Sequence, residues 1–126
     1  MQHLNPSGPT ESVRQELQFL ERVAKRLPRE PCVLKPLADL YTSAGFLDEG
    51  LLVDRKLVHL CPDESEVWYN LACSYALTDD KDAALKALET AVHRGYQDAE
   101  WMGKDQDLES LRGDVRFQQL LKHVNP

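Results

Sequence analysis

Apolar residues recur along most of this chain at the spacing of helix faces. Val13, Leu17, Leu20, Ala24 and Leu27 follow one another at steps of four, three, four and three, one stripe of an amphipathic helix beginning near Thr10. Between Asp63 and Tyr96 two further stripes follow in succession: Trp68, Leu71, Ala72 and Tyr75, then Ala84, Leu85, Leu88, Ala91 and Val92. Asp79 or Asp80 is placed to cap the second of these helices, and Gly95 to end it. The pattern predicts two antiparallel helices joined by a short turn.

The hairpin has a copy of itself upstream. At a spacing of 34, Pro28 pairs with Pro62, Leu34 with Trp68, Leu37 with Leu71, Ala38 with Ala72, Tyr41 with Tyr75, Leu51 with Leu85 and Leu57 with Ala91, all in one ungapped register. Residues 31–64 therefore read as a first repeat and 65–98 as a second, with 10–30 as the second half of an incomplete earlier one. One such hairpin cannot bury both faces alone, so stacked neighbours are expected. Residues 1–9, with two prolines and a glycine, read as a loose arm.

Local signals refine this picture. Ser12 with Gln15, and Asp63 with Glu66, have the spacing of capping boxes. Pro28 stops the first helix, where Lys25, Arg26 and Arg29 offset the C-terminal end of its dipole. Pro36 lies inside a predicted helix and predicts a late start or a distorted first turn. Gly50 takes a small-residue position, where close helix packing offsets its cost of about 1 kcal/mol relative to Ala. Asp54 stands where a large apolar side chain is wanted. Either it is buried with a hydrogen-bond partner such as Tyr41, or the helix rotates to use Leu52 and Val53; rotation is the simpler expectation.

The Trp, Leu, small residue and Tyr of the first helix, with Ala and Leu in the second and a length of 34, resemble a tetratricopeptide repeat. Residues Trp101 to Leu121, in the pattern W-M-x-K-D-x-D-L-x-x-L-R-x-D-x-R-F-x-x-L-L, resemble the closing segment of many bacterial members, with Val115 where proline is common. There Asp98, Asp105 and Asp114 each precede a short helical pattern that Gly103 and Gly113 break. Leu108, Leu111, Phe117, Leu120 and Leu121 supply the apolar cover that the end of a stack needs. The expected fold is all-α, an α-α superhelix of helical hairpins over residues 10–126 with residues 99–126 as its C-terminal helical cap.

Composition narrows the function. Net charge is −6, and the excess is one-sided: residues 1–62 carry 8 basic and 8 acidic side chains, residues 63–126 carry 7 and 13. Phosphate binding needs clustered Lys and Arg, so a nucleic-acid partner is not expected. No run of about 18 apolar residues suggests a membrane span, and the first fifteen residues lack a basic start followed by an apolar block, so a cytoplasmic protein is expected. Cys32, Cys61 and Cys73 are odd in number without a CxxC pair, which predicts reduced thiols rather than a disulfide framework or zinc site. Asp105, Asp107 and Glu109 alternate but lack the glycine and terminal glutamate of a calcium loop. The histidines form no HExxH, Cys61 near His59 reads as an ordinary packed thiol, and no phosphate loop or GxSxG occurs. Neither enzyme activity nor a cofactor or metal is expected.

The resemblance implies a groove lined by first helices: Cys32, Lys35, Asp39 and Thr42 from one repeat, Glu66, Tyr69, Asn70, Cys73 and Leu77 from the next, with Glu100 and Lys104 extending the row. Its core set is Lys35, Asp39, Thr42, Glu66, Tyr69, Asn70 and Cys73, suited to an extended peptide or a helix. The expected role is an adaptor for a protein or peptide partner. The alternative is a structural, weakly self-associating subunit that uses its convex side or ends, with Phe19, Leu52 and Val53 as exposed candidates. Members of the family that clamp a chaperone's C-terminal carboxylate use a lysine and asparagines; Lys35 and Asn70 match, but Asp39 and Glu100 oppose an anion. Calorimetry with a peptide ending in Glu-Val-Asp is expected to give no measurable binding.

Overall fold

The structure, a computed structural model, describes residues 8–124, and all regular structure among them is helical. The first seven residues of the predicted arm lie outside that range. The backbone divides into two compact units, Met1–Cys61 and Pro62–Pro126. No helix is long and apolar enough to cross a membrane among the described residues.

In the first unit, α1 (Glu11–Arg26) packs on α2 (Pro31–Ser43), which packs on α3 (Leu47–Leu60). Thr10, rather than Ser12, caps α1, its hydroxyl accepting from the Val13 amide at 3.2 Å. Of the late start or distorted first turn expected from Pro36, the late start does not occur: α2 begins at Pro31. Glu30 caps it by accepting from the Cys32 amide at 3.2 Å, and the proline at the first position gives up a donor that no helix uses there. Pro36 lies within the helix. The carbonyl that loses its donor there belongs to Cys32, an exposed residue.

The expected rotation of α3 does not occur. Asp54 is buried at 4% exposure, while Leu52 points outward at 64%. Turning Leu52 inward would withdraw Leu57 and Val58, 2% and 6% exposed, so two good apolar positions outweigh one poor one. Tyr41 does not serve Asp54 in the way suggested; its hydroxyl donates to Glu21 of α1.

In the second unit, α4 (Ser65–Leu77) packs on α5 (Lys81–His93) and on a 3₁₀ helix (Gln106–Leu111), while α6 (Ala99–Lys104) and α7 (Val115–Val124) close the core. Of the expected apolar cover, Leu108 and Leu111 are fully buried and Phe117 is 1% exposed, while Leu120 and Leu121 are half-buried; Met102, not among the expected residues, is also fully buried. The Asp63–Glu66 box does not form. Glu64 stands at the start of α4 without a side-chain cap bond, and Trp68 Nε1 and Arg94 Nε both donate to the Pro62 carbonyl, at 2.8 and 2.9 Å.

The period of 34 reaches the hydrogen bonds of the turns. α2 and α4 are each followed by a left-handed residue, Gly45 (φ 92°) and Asp79 (φ 66°). Phe46 N–H donates to Tyr41 O at 2.8 Å as Asp80 N–H does to Tyr75 O at 2.9 Å. Gly45 N–H donates to Thr42 O as Asp79 N–H does to Ala76 O, which completes the same Schellman ending in both. The Tyr41 and Phe46 rings meet edge to face at 6.3 Å, the apolar contact that accompanies this motif. Asp80 then caps α5 through Ala83 N–H. α6 and α7 begin at Ala99 and Val115, again 34 residues after α4 and α5, so the closing segment keeps the repeat's spacing although its first helix is broken. That break falls at Asp105; Gly103, expected to interrupt the helix, lies inside α6.

Gly50 and Thr42 are matched to each other. A Cβ on Gly50 would stand 2.5 Å from Thr42 Oγ1 and 3.5 Å from the Ala38 carbonyl. The second hairpin holds Ala76 and Ala84 at the equivalent positions, 3% and 0% exposed. Gly50→Ala is therefore expected to destabilise by about 1 kcal/mol, overpacking exceeding the gain in helix propensity. Thr42→Ala with Gly50→Ala should recover or exceed wild-type stability in urea unfolding; additive losses would contradict this packing.

Candidate functional site

α4 buries residues all round its circumference: Val67, Leu71 and Ala72, but also Tyr69, Cys73, Ser74 and Ala76. A helix of this kind is enclosed, and only a narrow strip remains outside. Two of the seven expected groove residues are thereby removed from the surface. Tyr69 is 6% and Cys73 7% exposed, because the 3₁₀ helix and Asp105 lie over them. Tyr69 Oη donates to Asp105 Oδ2 at 2.6 Å, and Cys73 Sγ is 3.8 Å from the same oxygen. The Tyr69 ring stacks on Tyr96, centroids 4.4 Å apart and planes 9° from parallel.

Asp105 is what holds this arrangement. It stands 34 residues after Leu71, where the repeat plan asks for an apolar helical residue, but its backbone is extended (φ −64°, ψ 118°) and its Oδ1 caps the 3₁₀ helix by accepting from Asp107 N–H at 3.0 Å. Arg112 donates to its carbonyl at 3.2 Å. With an exposure of 6%, the side chain answers the cost of burial through both carboxylate oxygens. From sequence Asp105 marks a helix start, and its bond to Tyr69 is a finding of the structure. The signal was its place in the 34-residue register.

Thr42 is also turned inward, half-buried over Gly50. Lys35 is half-buried, and Asp39, Glu66 and Asn70 are exposed. Partial desolvation raises the Asp39 carboxyl above its ordinary value. The accessible remainder of the expected face is thus Lys35 with Asp39 on α2 in the first unit, and Glu66 with Asn70 on α4 in the second. Each pair is one helical turn apart. Glu100 and Lys104 pair with each other on α6 at 3.0 Å, both well exposed.

Cys73, Asp105 and Asp107 bring one ligand atom each within 4.8 Å, the one such group among the described residues. Both oxygens of Asp105 accept protein hydrogen bonds, one from the Tyr69 phenol and one from the Asp107 amide. A hollow of about 620 Å³ between α5 and α7 is rimmed by Lys86, Glu89, His93, Arg116 and His123. Its rim mixes both signs of charge. Arg116 is engaged by Asp82 at 2.9 Å and by Asp114 at 2.8 Å, and its hydrogen bonds hold the Asp114 carboxyl down at about 2.

No protein-family model matches this chain. Over 65 residues, 51% of the chain, it is 44% identical to a chloroplastic protein of Arabidopsis thaliana. The match spans 19% of that protein, about a fifth of its length.

Burial, then neighbouring charge and the bond to Asp105, raise the Tyr69 phenol well above its usual range; burial likewise pushes Tyr96 up to about 12. The fold thus favours the neutral phenol. Its contribution is complete below the unfolded value of about 10 and is lost as pH climbs above it. Tyr69→Phe is expected to cost about 1–3 kcal/mol at neutral pH, because buried Asp105 loses a donor, and to flatten the alkaline fall in stability. Urea unfolding of both proteins across the alkaline range tests this; equal stabilities at neutral pH would remove the bond from the core.

Proposed function

We propose that this chain is a non-enzymatic interaction module of the tetratricopeptide type, an adaptor that holds a peptide or protein segment against the exposed strip of its first helices. The observation that carries the reading is the repeated hairpin. α2–α3, of 13 and 14 residues, and α4–α5, of 13 and 13, share a left-handed turn residue and the same turn hydrogen bonds at a period of 34. A period of this length is the signature of arrays whose surfaces serve recognition. The contact residues are Lys35 and Asp39 on α2 and Glu66 and Asn70 on α4; Tyr69, Cys73 and Thr42 support them from beneath. A superhelical stack of the two hairpins belongs to this proposal.

The side chains suit a polar segment with at least one basic residue, since Asp39 and Glu66 are exposed carboxylates and the second half of the chain carries the negative excess. As to location, the cytoplasm is the expectation from the sequence, and the chloroplast is suggested by the chloroplastic relative matched over half the chain. A second reading, self-association, is supported by an open row on α1.

Replacing Asp39 and Glu66 together by Lys is expected to reduce capture of partners from a cell extract by about tenfold or more, with helix content and thermal midpoint unchanged. Asn70→Ala should weaken capture less. Undiminished capture by the double variant would discard this face.

A further inference from the structure

By register α1 stands where α3 and α5 stand, and among the described residues no helix precedes it. Its residues Glu16, Phe19 and Val23 stand, by the 34-residue register, where α3 has Gly50, Val53 and Leu57 and α5 has Ala84, Ala87 and Ala91. In the second hairpin this row is covered throughout, Ala84, Ala87 and Ala91 being 0%, 4% and 0% exposed; in the first, Gly50 is buried and Leu57 2% exposed, while Val53 between them is half-buried. On α1 the row is open. Glu16 is exposed, Phe19 is 56% and Leu27 49% exposed, Val23 is half-buried, and Leu17 alone is fully inside.

A standard first helix does not fit there. The close approach seen at Gly50, where even a Cβ would collide with Thr42, requires a residue no larger than alanine, and α1 presents Glu16 at that place and Phe19 at the next. The row has a different property. Glu16, Phe19, Val23 and Arg26 are spaced three, four and three, a single stripe that reads with the same spacing in either direction. Set against its own copy end for end, it brings Glu16 to Arg26 and Phe19 to Val23, each contact made twice. The antiparallel order also opposes the two helix dipoles favourably. A parallel order would set Glu16 on Glu16 and Arg26 on Arg26.

We infer that α1 is a homodimerisation helix, its Glu16–Phe19–Val23–Arg26 stripe pairing antiparallel with the same stripe of a second copy, flanked by Leu27. This goes beyond the adaptor reading and stands whether or not the strip on α2 and α4 binds anything. One helix pair buries less than the roughly 1,200 Å² of a standard interface, so the dimer is weak and concentration-dependent.

Sedimentation across about 1 µM to 1 mM tests it. The wild-type chain is expected to pass from monomer to dimer, and Phe19→Asp to remain monomeric with unchanged circular dichroism. Glu16→Arg alone and Arg26→Glu alone should each weaken the dimer by about tenfold or more, replacing two attractions by two repulsions. The double exchange should restore it, and mixing the two single variants should give a heterodimer. A wild-type monomer at every concentration overturns the proposal, as does a dimer indifferent to these changes or a double exchange that fails to recover.

Discussion

An apolar row on one helix is stable only when something covers it, and in this protein the cover comes from the helix just before it in the chain. The row is narrow: Gly50 and Leu57 on α3, Ala84, Ala87, Leu88 and Ala91 on α5. Small residues let the backbones approach, and the left-handed residues Gly45 and Asp79 turn the chain sharply enough to bring the second helix back under the first. The turn and the row depend on each other. Without the turn the row stays in water, and without the row the turn has nothing to close upon. Asp79 bears the cost of a conformation that Gly45 adopts freely, which shows that the contact behind the turn outweighs local preference there.

Most of this was legible because it depends on period alone. Helix positions and the burial of Leu37 and Leu71, each 4% exposed, follow from residues that repeat at a fixed spacing, whereas the left-handed ends at Gly45 and Asp79 were not read from it. What was not legible depends on competition between positions of one helix. Asp54 is drawn inside because Leu57 and Val58 fix the rotation of α3, and a single residue read alone does not reveal that it will be outvoted. Pro36 lies inside α2, and the residue whose carbonyl it deprives of a donor, Cys32, is exposed, a fact about neighbours rather than about proline. The caps were misread at Ser12 and Asp63 for a similar reason: spacing offers several candidates, and the backbone angle that selects Thr10 or Glu30 is set by where each helix begins to pack.

The candidate face was legible as a row and illegible as a surface. Register alone places Tyr69 and Cys73 beside Asn70, since all lie on α4, but exposure depends on what the closing segment does. There the repeat plan fails at one residue. Asp105 occupies the place of Leu71 and cannot continue an apolar helix, so the chain leaves α6, caps a 3₁₀ helix and lays it over α4. The same carboxylate then accepts the Tyr69 phenol. A polar residue in an apolar register thus converts a third hairpin into a lid, and the aromatic that looked like a contact becomes part of the core. Glu66 and Asn70, on the same helix, stay exposed.

The open row on α1 follows from the covering rule applied where it is broken. A second helix whose row carries Glu16 and Phe19 instead of two small residues is not waiting for the neighbour that its register implies, because that neighbour could not approach it. Were the row simply a solvated end, polar residues would serve at Phe19 and Leu27, and 56% and 49% exposure of two large apolar side chains on one helix would cost solubility without return. Opposite charges at its two ends, on a stripe whose spacing reads alike in both directions, describe a surface shaped by pairing with itself.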